Sequence, residues 1–291
     1  MKYVLVTTAR NEEAYIGETL RSVISQTRLP EKWVIVNDGS TDNMEAIVIE
    51  YLAGHPWIEL YTREQRADRS FSGKAHAFNE GCGHLDGVEY DLIGNLDADL
   101  SFEPDYMESL LGKFEEDPEL GIGGTDYVEG EFHSFRDSYI SENHVNGQIQ
   151  MFRKECFIEI GGYTPIPYGG IDWVAVTTAR MKGWKTRSFS DHVYNHLRKM
   201  GTEGTNVLGS RFHYGKKDYF LGGHPLWQVF RSTFQMTKKP YIAGGAALLA
   251  GYVWAWATME KQVPPELERF HRSEQMSRLK GIFNKRSRAR G

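Results

Sequence analysis

Short apolar runs alternate with amphipathic stretches over the first hundred residues, and the alternation predicts strands and helices in turn. Tyr3 to Thr7 is a brief apolar run that ends in a polar loop. From Glu12 to Gln26 the apolar residues Ile16, Leu20, Val23 and Ile24 recur at helical spacing. Trp33 to Val36 is a second apolar run, closed by Asn37-Asp38-Gly39-Ser40. Ser40 or Thr41 is placed to cap the next helix, which runs through Met44, Ile47, Val48 and Leu52. Ile58 to Tyr61 predicts a third strand and Gly73 to Gly81 a short helix. Leu92 to Leu96 predicts a fourth strand, stopping at Asp97-Ala98-Asp99. Further on the pattern is mixed. Pro104 opens a helix carrying Met107, Leu110, Leu111 and Phe114, and glycines crowd 121–124, 161–162 and 169–170. Asp172 to Lys182 reads as a helix and Trp184 to Phe189 as a strand.

Strand–helix alternation of this kind predicts an α/β protein with a mostly parallel, Rossmann-like sheet flanked by helices. In such sheets ligands bind beyond the carboxyl ends of the strands. The polar clusters Thr8–Glu13, Asp38–Asp42 and Asp97–Asp99 all fall there, so three separate segments converge on one edge. Composition agrees with a folded core: 40% of the 291 residues are hydrophobic and 25% charged. The net charge of -5 argues against nucleic acid as a partner. Two cysteines, Cys82 and Cys156, fit a reducing compartment without a disulfide framework. The N-terminal apolar run is too short for a signal peptide, so catalysis in the cytoplasm is the expectation.

Asp97 and Asp99 stand one residue apart after a buried strand. A strand end aims alternate residues to one side, and hard cations such as Mg²⁺ are held by one or two carboxylates together with substrate phosphates. Surface turns are also rich in Asp, so the residues alone leave a plain turn equally open. Asp38 has the same two readings, a ligand for a base or ribose hydroxyl or an Asx turn.

The segments Val6–Glu13 (VTTARNEE), Ser22–Thr27 (SVISQT), Val34–Asp42 (VIVNDGSTD), Gly73–Gly81 (GKAHAFNEG) and Asn95–Asp99 (NLDAD) occur in this order. With them the chain resembles glycosyltransferase family 2, over about residues 3–190. The resemblance implies the GT-A fold and an inverting transfer of sugar from a nucleotide-diphosphate donor, a UDP-sugar being the commonest choice in the family. It implies that Asp38 binds the nucleobase, that Thr8, Asn11 and Glu12 line the nucleotide pocket, and that Asp97 sits near the ribose or phosphates. Asp99 would ligate a divalent metal, Mg²⁺ or Mn²⁺, on the diphosphate, with Asp97 beside it. Lys74 and Arg69 would add positive charge near the diphosphate. His196, with His192 as the alternative, would be a further metal ligand, and Arg198 or Lys199 would reach the phosphates from a glycine-containing loop. The family's general base usually belongs to a Glu-Asp pair opening a helix after Gly-Gly. Here Gly169-Gly170-Ile171-Asp172 makes Asp172 the base, with Ile171 in place of the Glu. The alternative for Asp172 is a helix cap. The acceptor would be a glycan or lipid-linked hydroxyl in surface polysaccharide or glycolipid synthesis.

Two other classes compete. One is a catalytically silent module that binds a nucleotide sugar or scaffolds a membrane complex; the retained Asp38, Asp97, Asp99 and Asp172 count against it. The other is nucleotide-sugar synthesis or dinucleotide-dependent redox chemistry. Ala9-Arg10-Asn11-Glu12-Glu13 after the first strand is neither a basic glycine-rich loop nor Gly-x-Gly-x-x-Gly. The expected organisation is a catalytic domain at 1–215, with 1–100 for the nucleotide and 101–215 for the acceptor, and a helical extension at 216–291. Tyr241 to Ala257 is apolar but shorter than the roughly 20 residues of a spanning helix. Together with Leu226, Trp227, Phe230 and Phe234 and a basic tail, it predicts peripheral contact with the inner face of the cell membrane, or else a buried helical hairpin.

Overall fold

The computed structural model describes residues 1–64, 71–134, 141–198 and 207–288, and falls into two compact units, Met1–Lys199 and Met200–Gly291. The first begins with β1 (Tyr3–Ala9), α1 (Ile16–Ile24), β2 (Lys32–Asn37), α2 (Met44–Leu52), β3 (Ile58–Thr62), α3 (Phe71–Gly83) and β4 (Leu92–Leu96). These follow the predicted alternation. Strands β1, β2 and β4 are buried on both faces, which is why they read as unbroken apolar runs. Trp33, in β2, is wholly buried and satisfies its indole N–H on Thr7 Oγ1 at 2.9 Å. α3 lies directly on this sheet. A methyl group on Gly81 would come within 2.7 Å of Val6 and 2.8 Å of Val36, so only glycine permits that approach.

The unit continues through β5 (Leu100–Ser101), α4 (Tyr106–Glu116), β6 (Leu120–Glu129), β7 (Phe132–His133), β8 (Ile149–Arg153), α5 (Lys154–Ile160), α6 (Ile171–Met181) and β9 (Lys185–His196). The sheet order is β3-β2-β1-β4-β8-β6-β9-β5, with β7 paired to β6. The fold is mixed α/β: β1, β2, β3, β4, β6 and β9 point the same way, but β8 enters antiparallel between β4 and β6. The expected predominance of parallel pairing therefore holds only on the β3–β4 side. The segment Ser22–Thr27 has a structural role. Gln26, buried, donates to Ser22 O and Glu103 O and accepts the Met107 N–H, which ties the end of α1 to the start of α4. Helix α4 starts at Tyr106, just after Pro104. α2 starts at Met44, whose N–H is taken by Asp42 Oδ1 at 3.2 Å, and not by Ser40 or Thr41.

The second unit holds α7 (Val207–Phe220), α8 (Pro225–Gln235), α9 (Tyr241–Thr258) and α10 (Pro265–Arg288). The expected boundary at 215/216 cuts through α7, whose packing partner is α9. Gly215 and Gly251 bring these two helices into backbone contact. His224 caps α8 by accepting the Leu226 N–H, with Pro225 in the first turn. α10 is held by Arg272 Nε donating to Gly222 O and by Gln275 Oε1 accepting the His224 N–H. No helix among the described residues is long and apolar enough to cross a membrane.

Candidate active site

Because six strands share a direction, their carboxyl ends lie on one edge, and the polar residues that follow them meet there. The loop after β1 and the loop after β2 are stitched together. Asn11, in the left-handed region at φ 57°, accepts the Thr41 N–H on Oδ1 at 2.8 Å and donates its own N–H to Ser40 Oγ. Glu13 accepts the Asn43 N–H at 2.9 Å. The Asn11 side chain thus braces the Asp38–Asp42 loop. Asp38, after β2, receives a hydrogen bond from Arg63, the residue after β3. Arg63 is buried and also forks onto Glu80 at 2.6 and 2.8 Å, so Asp38 is held by a guanidinium that is itself anchored.

Asp97 and Asp99 occupy the bend after β4. The Asp97 N–H is bonded to Gln148 O at 2.9 Å, and Asp99 O accepts the Leu197 N–H at 2.9 Å. Each backbone is therefore clamped by a different flank of the sheet. Lys74, on α3, donates to Asp97 Oδ1 at 2.6 Å. His196, ending β9, places Nε2 3.4 Å from Asp99 Oδ2 and Nδ1 3.2 Å from Glu129 Oε2, the last residue of β6. Arg198 pairs with Glu12 and lies 3.6 Å from Asp99, over the ring of Tyr15.

The crowding of charges shifts the proton affinities of these groups. Burial pushes the Glu12 carboxyl up to about 7, helped by the charge of Asp99 and opposed by Arg198. Burial also raises Asp97, against the pull of Lys74. For Asp99 burial acts in the same direction, but His196, Lys74 and Arg198 outweigh it and hold the carboxyl below its ordinary value. The His196 imidazolium is disfavoured by burial yet favoured more strongly by Asp99 and Glu129, so its pKa is raised. A carboxyl that binds its proton more tightly folded than unfolded removes stability as pH rises from its ordinary value of 4.5 toward 7. Glu12→Gln should therefore stabilise the metal-free protein by on the order of 1–3 kcal/mol at pH 8 and by nothing near pH 4. Urea unfolding at the two pH values measures this, and equal effects at both would show that Glu12 ionises normally.

Asp172 is the second residue of α6. The helix follows Gly169 and Gly170, both left-handed at φ 85° and 98°, a turn that side chains disfavour. Gly170 occupies the cap position, so Asp172 is not the cap. The Asp172 side chain lies against Gly147, where a Cβ would come within 3.0 Å of Oδ2, and its charge is felt by Lys74. Asn95 donates to Gly147 O at 2.7 Å and reaches Asp97 Oδ1 at 3.5 Å. Asp172 and Asp97 are thus both linked to the residue-147 turn, Asp172 by packing on Gly147 and Asp97 through Asn95, and Lys74 feels the charge of both.

Of the residues expected at the site, Glu12, Lys74, Asp97, Asp99, Asp172, His196 and Arg198 are brought together. Thr8 lies inside β1, its Oγ1 buried without a partner. His192 goes elsewhere, to Asp105 and Ser109 on α4. Arg69 and Lys199 lie outside the described residues. Arg63 and Glu129 were missed in the sequence. Arg63 follows β3, so the strand-end rule that marked Asp38 and Asp97 reaches it, whereas Glu129 ends β6, a strand the sequence pattern does not predict, and carries no such signal.

Among the described residues, no three His, Cys, Asp or Glu side chains form a complete metal cage. A hard cation shared with substrate phosphates takes only one or two carboxylates from the protein. The oxygens of Asp97 and Asp99 beside the His196 imidazole are donors suited to Mg²⁺ or Mn²⁺.

This sheet, with its active edge, is the GT-A architecture of nucleotide-sugar glycosyltransferases. Solved structures bear this out: a mannosyltransferase from Pyrobaculum calidifontis in complex with GDP-Man and Mn²⁺ matches with a TM-score of 0.60 and 20% identity, covering 88% of this chain and 72% of that one. Staphylococcus aureus TarS 1-349 in complex with UDP-GlcNAc matches at 0.54 and 13% identity, covering 93% and 78%. The family described as glycosyl transferase family 2 matches residues 4–169, and the chain belongs to it. Poly-beta-1,6-N-acetyl-D-glucosamine synthase of Staphylococcus epidermidis is 32% identical over 170 residues, and that of S. aureus strain COL 24%. Each match covers 52% of this chain and 39% of the relative.

Proposed function

We propose that the protein is an inverting, metal-dependent glycosyltransferase that moves a sugar from a UDP-sugar to a hydroxyl of a glycan or lipid-linked acceptor, in surface polysaccharide or glycolipid synthesis at the inner face of the membrane. The observation that carries this is the meeting of Glu12, Asp97, Asp99, Lys74, His196 and Arg198 at the strand ends, with Asp172 packed on Gly147 and its charge felt by Lys74. Asp38, steadied by Arg63, takes the uracil edge. Asp99, with Asp97 and His196 at hand, would hold Mg²⁺ or Mn²⁺, which supplies positive charge to the departing diphosphate. Lys74 and Arg198 add charge of the same sign. Asp172 takes the proton from the acceptor hydroxyl as that oxygen attacks the anomeric carbon. The proton ends on the Asp172 carboxylate and the bonding pair of the broken bond leaves on the diphosphate. The named relatives make UDP-GlcNAc the first donor to test.

The test is a thermal-shift panel of nucleoside diphosphates and their sugars, with and without Mn²⁺ or Mg²⁺. A shift of several degrees is expected with one nucleotide plus metal, lost in Asp38→Ala and in Asp99→Asn. Silence across the panel would point to a chain that binds no donor.

A further inference from the structure

In the C-terminal unit the helices are built the wrong way round for water. On α8, Gln228 and Ser232 are 1% exposed, while Leu226, Val229 and Phe234 face outward. Ser232 Oγ finds no hydrogen-bond partner among the described residues. On α9 the inward positions are Gly244, Gly245, Leu248, Gly251, Tyr252 and Ala255. Ile242, Ala246, Leu249, Val253 and Trp256 follow one another at spacings of three and four, a stripe along the opposite side. Ile242 is 72% exposed and Trp256 67%. A water-facing helix puts its polar residues outside. Small and polar residues at the helix contact, with large apolar ones outside, is the arrangement of helices facing lipid.

Charge names the occupant. Residues 225–258 carry Arg231, Lys238 and Lys239 and no Asp or Glu, and residues 225–291 carry twelve Lys and Arg against four acidic residues, in a chain of net charge -5. Two lysines lie over exposed aromatic rings: Lys216 Nζ is 4.8 Å from the centroid of Trp254 and Lys238 Nζ 5.7 Å from that of Phe234. Stems covering apolar surface with ammonium groups at its rim match the boundary between acyl chains and anionic headgroups. A face that met a second copy of this chain would bring these cations together. We infer that α8 and α9 form a membrane-docking surface that lies in the plane of an anionic bilayer, inserting the Ile242–Val253–Trp256 stripe and seating Lys238 and Lys239 on headgroup phosphates. This deepens the reading of a membrane-proximal transferase, but it can be tested without turnover.

The full chain is floated with vesicles of phosphatidylcholine alone, or with about a third phosphatidylglycerol. Partition onto the anionic vesicles is expected, weaker on the neutral ones. Ile242→Ser/Val253→Ser/Trp256→Ser and Lys238→Glu/Lys239→Glu should each lower it at least about tenfold, with melting temperature and nucleotide-induced shift unchanged. These positions are exposed, so the fold does not depend on them. Two results overturn the inference. One is failure of the unaltered protein to float with either vesicle. The other is a concentration-dependent dimer, abolished by the triple variant, in a protein that ignores vesicles. Vesicle binding that follows the patch in a protein showing no nucleotide shift keeps the surface and sinks the transferase reading.

Discussion

Asp172→Asn is expected to lower kcat by about 10²–10⁴-fold, the usual worth of a positioned general base, while donor affinity stays within about twofold. The exchange keeps size and shape, so the contact against Gly147 survives. What goes is the ability to hold the acceptor's proton. A purely structural role predicts something else. An acidic residue in the first turn of α6 stabilises the helix through its dipole by about 0.3–1 kcal/mol, and its loss would lower the melting temperature slightly and spare turnover. Measuring kcat at saturating donor, donor binding by calorimetry and Tm on the same preparation separates the two. If kcat stays within about tenfold and only Tm moves, the proton acceptor is another group.

Gly251→Ala is expected to destabilise the C-terminal unit by on the order of 3–5 kcal/mol. An added methyl would stand 2.0 Å from Phe212 O and 2.8 Å from Phe212 C, and in the reciprocal contact a methyl on Gly215 would stand 2.0 Å from Leu248 O. Both obstacles are backbone, so α7 and α9 must part by more than an ångström along their whole crossing. Intrinsic propensity argues the opposite way, since alanine in a helix interior is better than glycine by about 0.5–1 kcal/mol. Gly112→Ala is the control. Gly112 lies in α4 with nothing within 4 Å of a built Cβ, and the same chemical change should stabilise the first unit by about that smaller amount. Urea unfolding followed by circular dichroism, with proteolysis to report which unit opens, reads both. A Gly251→Ala protein as stable as its parent would mean that α7 and α9 can slide apart cheaply.

The strand–loop–helix order of residues 3–99 was legible because β1, β2 and β4 are buried on both faces and betray themselves as apolar runs. Their polar followers, Asp38, Asp97 and Asp99, were found by the same signal. The second half of the sheet was not. β8 joins β4 to β6 across more than twenty residues of separation, and such pairing leaves no local trace. β9 runs past Phe189 to His196 because it pairs with β6 along Val193–Asn195 and buries Tyr194 and His196, although Asp191-His192 in its middle looks like a loop. The interhelical contact at Gly215 is also non-local, so nothing in the local sequence moves the expected boundary away from residue 216. Arg63 escaped notice because its importance lies in the two carboxylates it clamps, neither of them its neighbour in sequence.

The nine-stranded sheet runs unbroken from β3 to β5, through every strand that delivers a residue to the edge. Hinged jaws need a seam of weak contacts, and a hydrogen-bonded ladder is the opposite of one. Asp38 at one flank and His196 at the other are therefore fixed on a single stiff plate. On the function proposed above, that plate is a ruler cut before any substrate arrives, and a donor longer or shorter by one phosphate would meet it out of register.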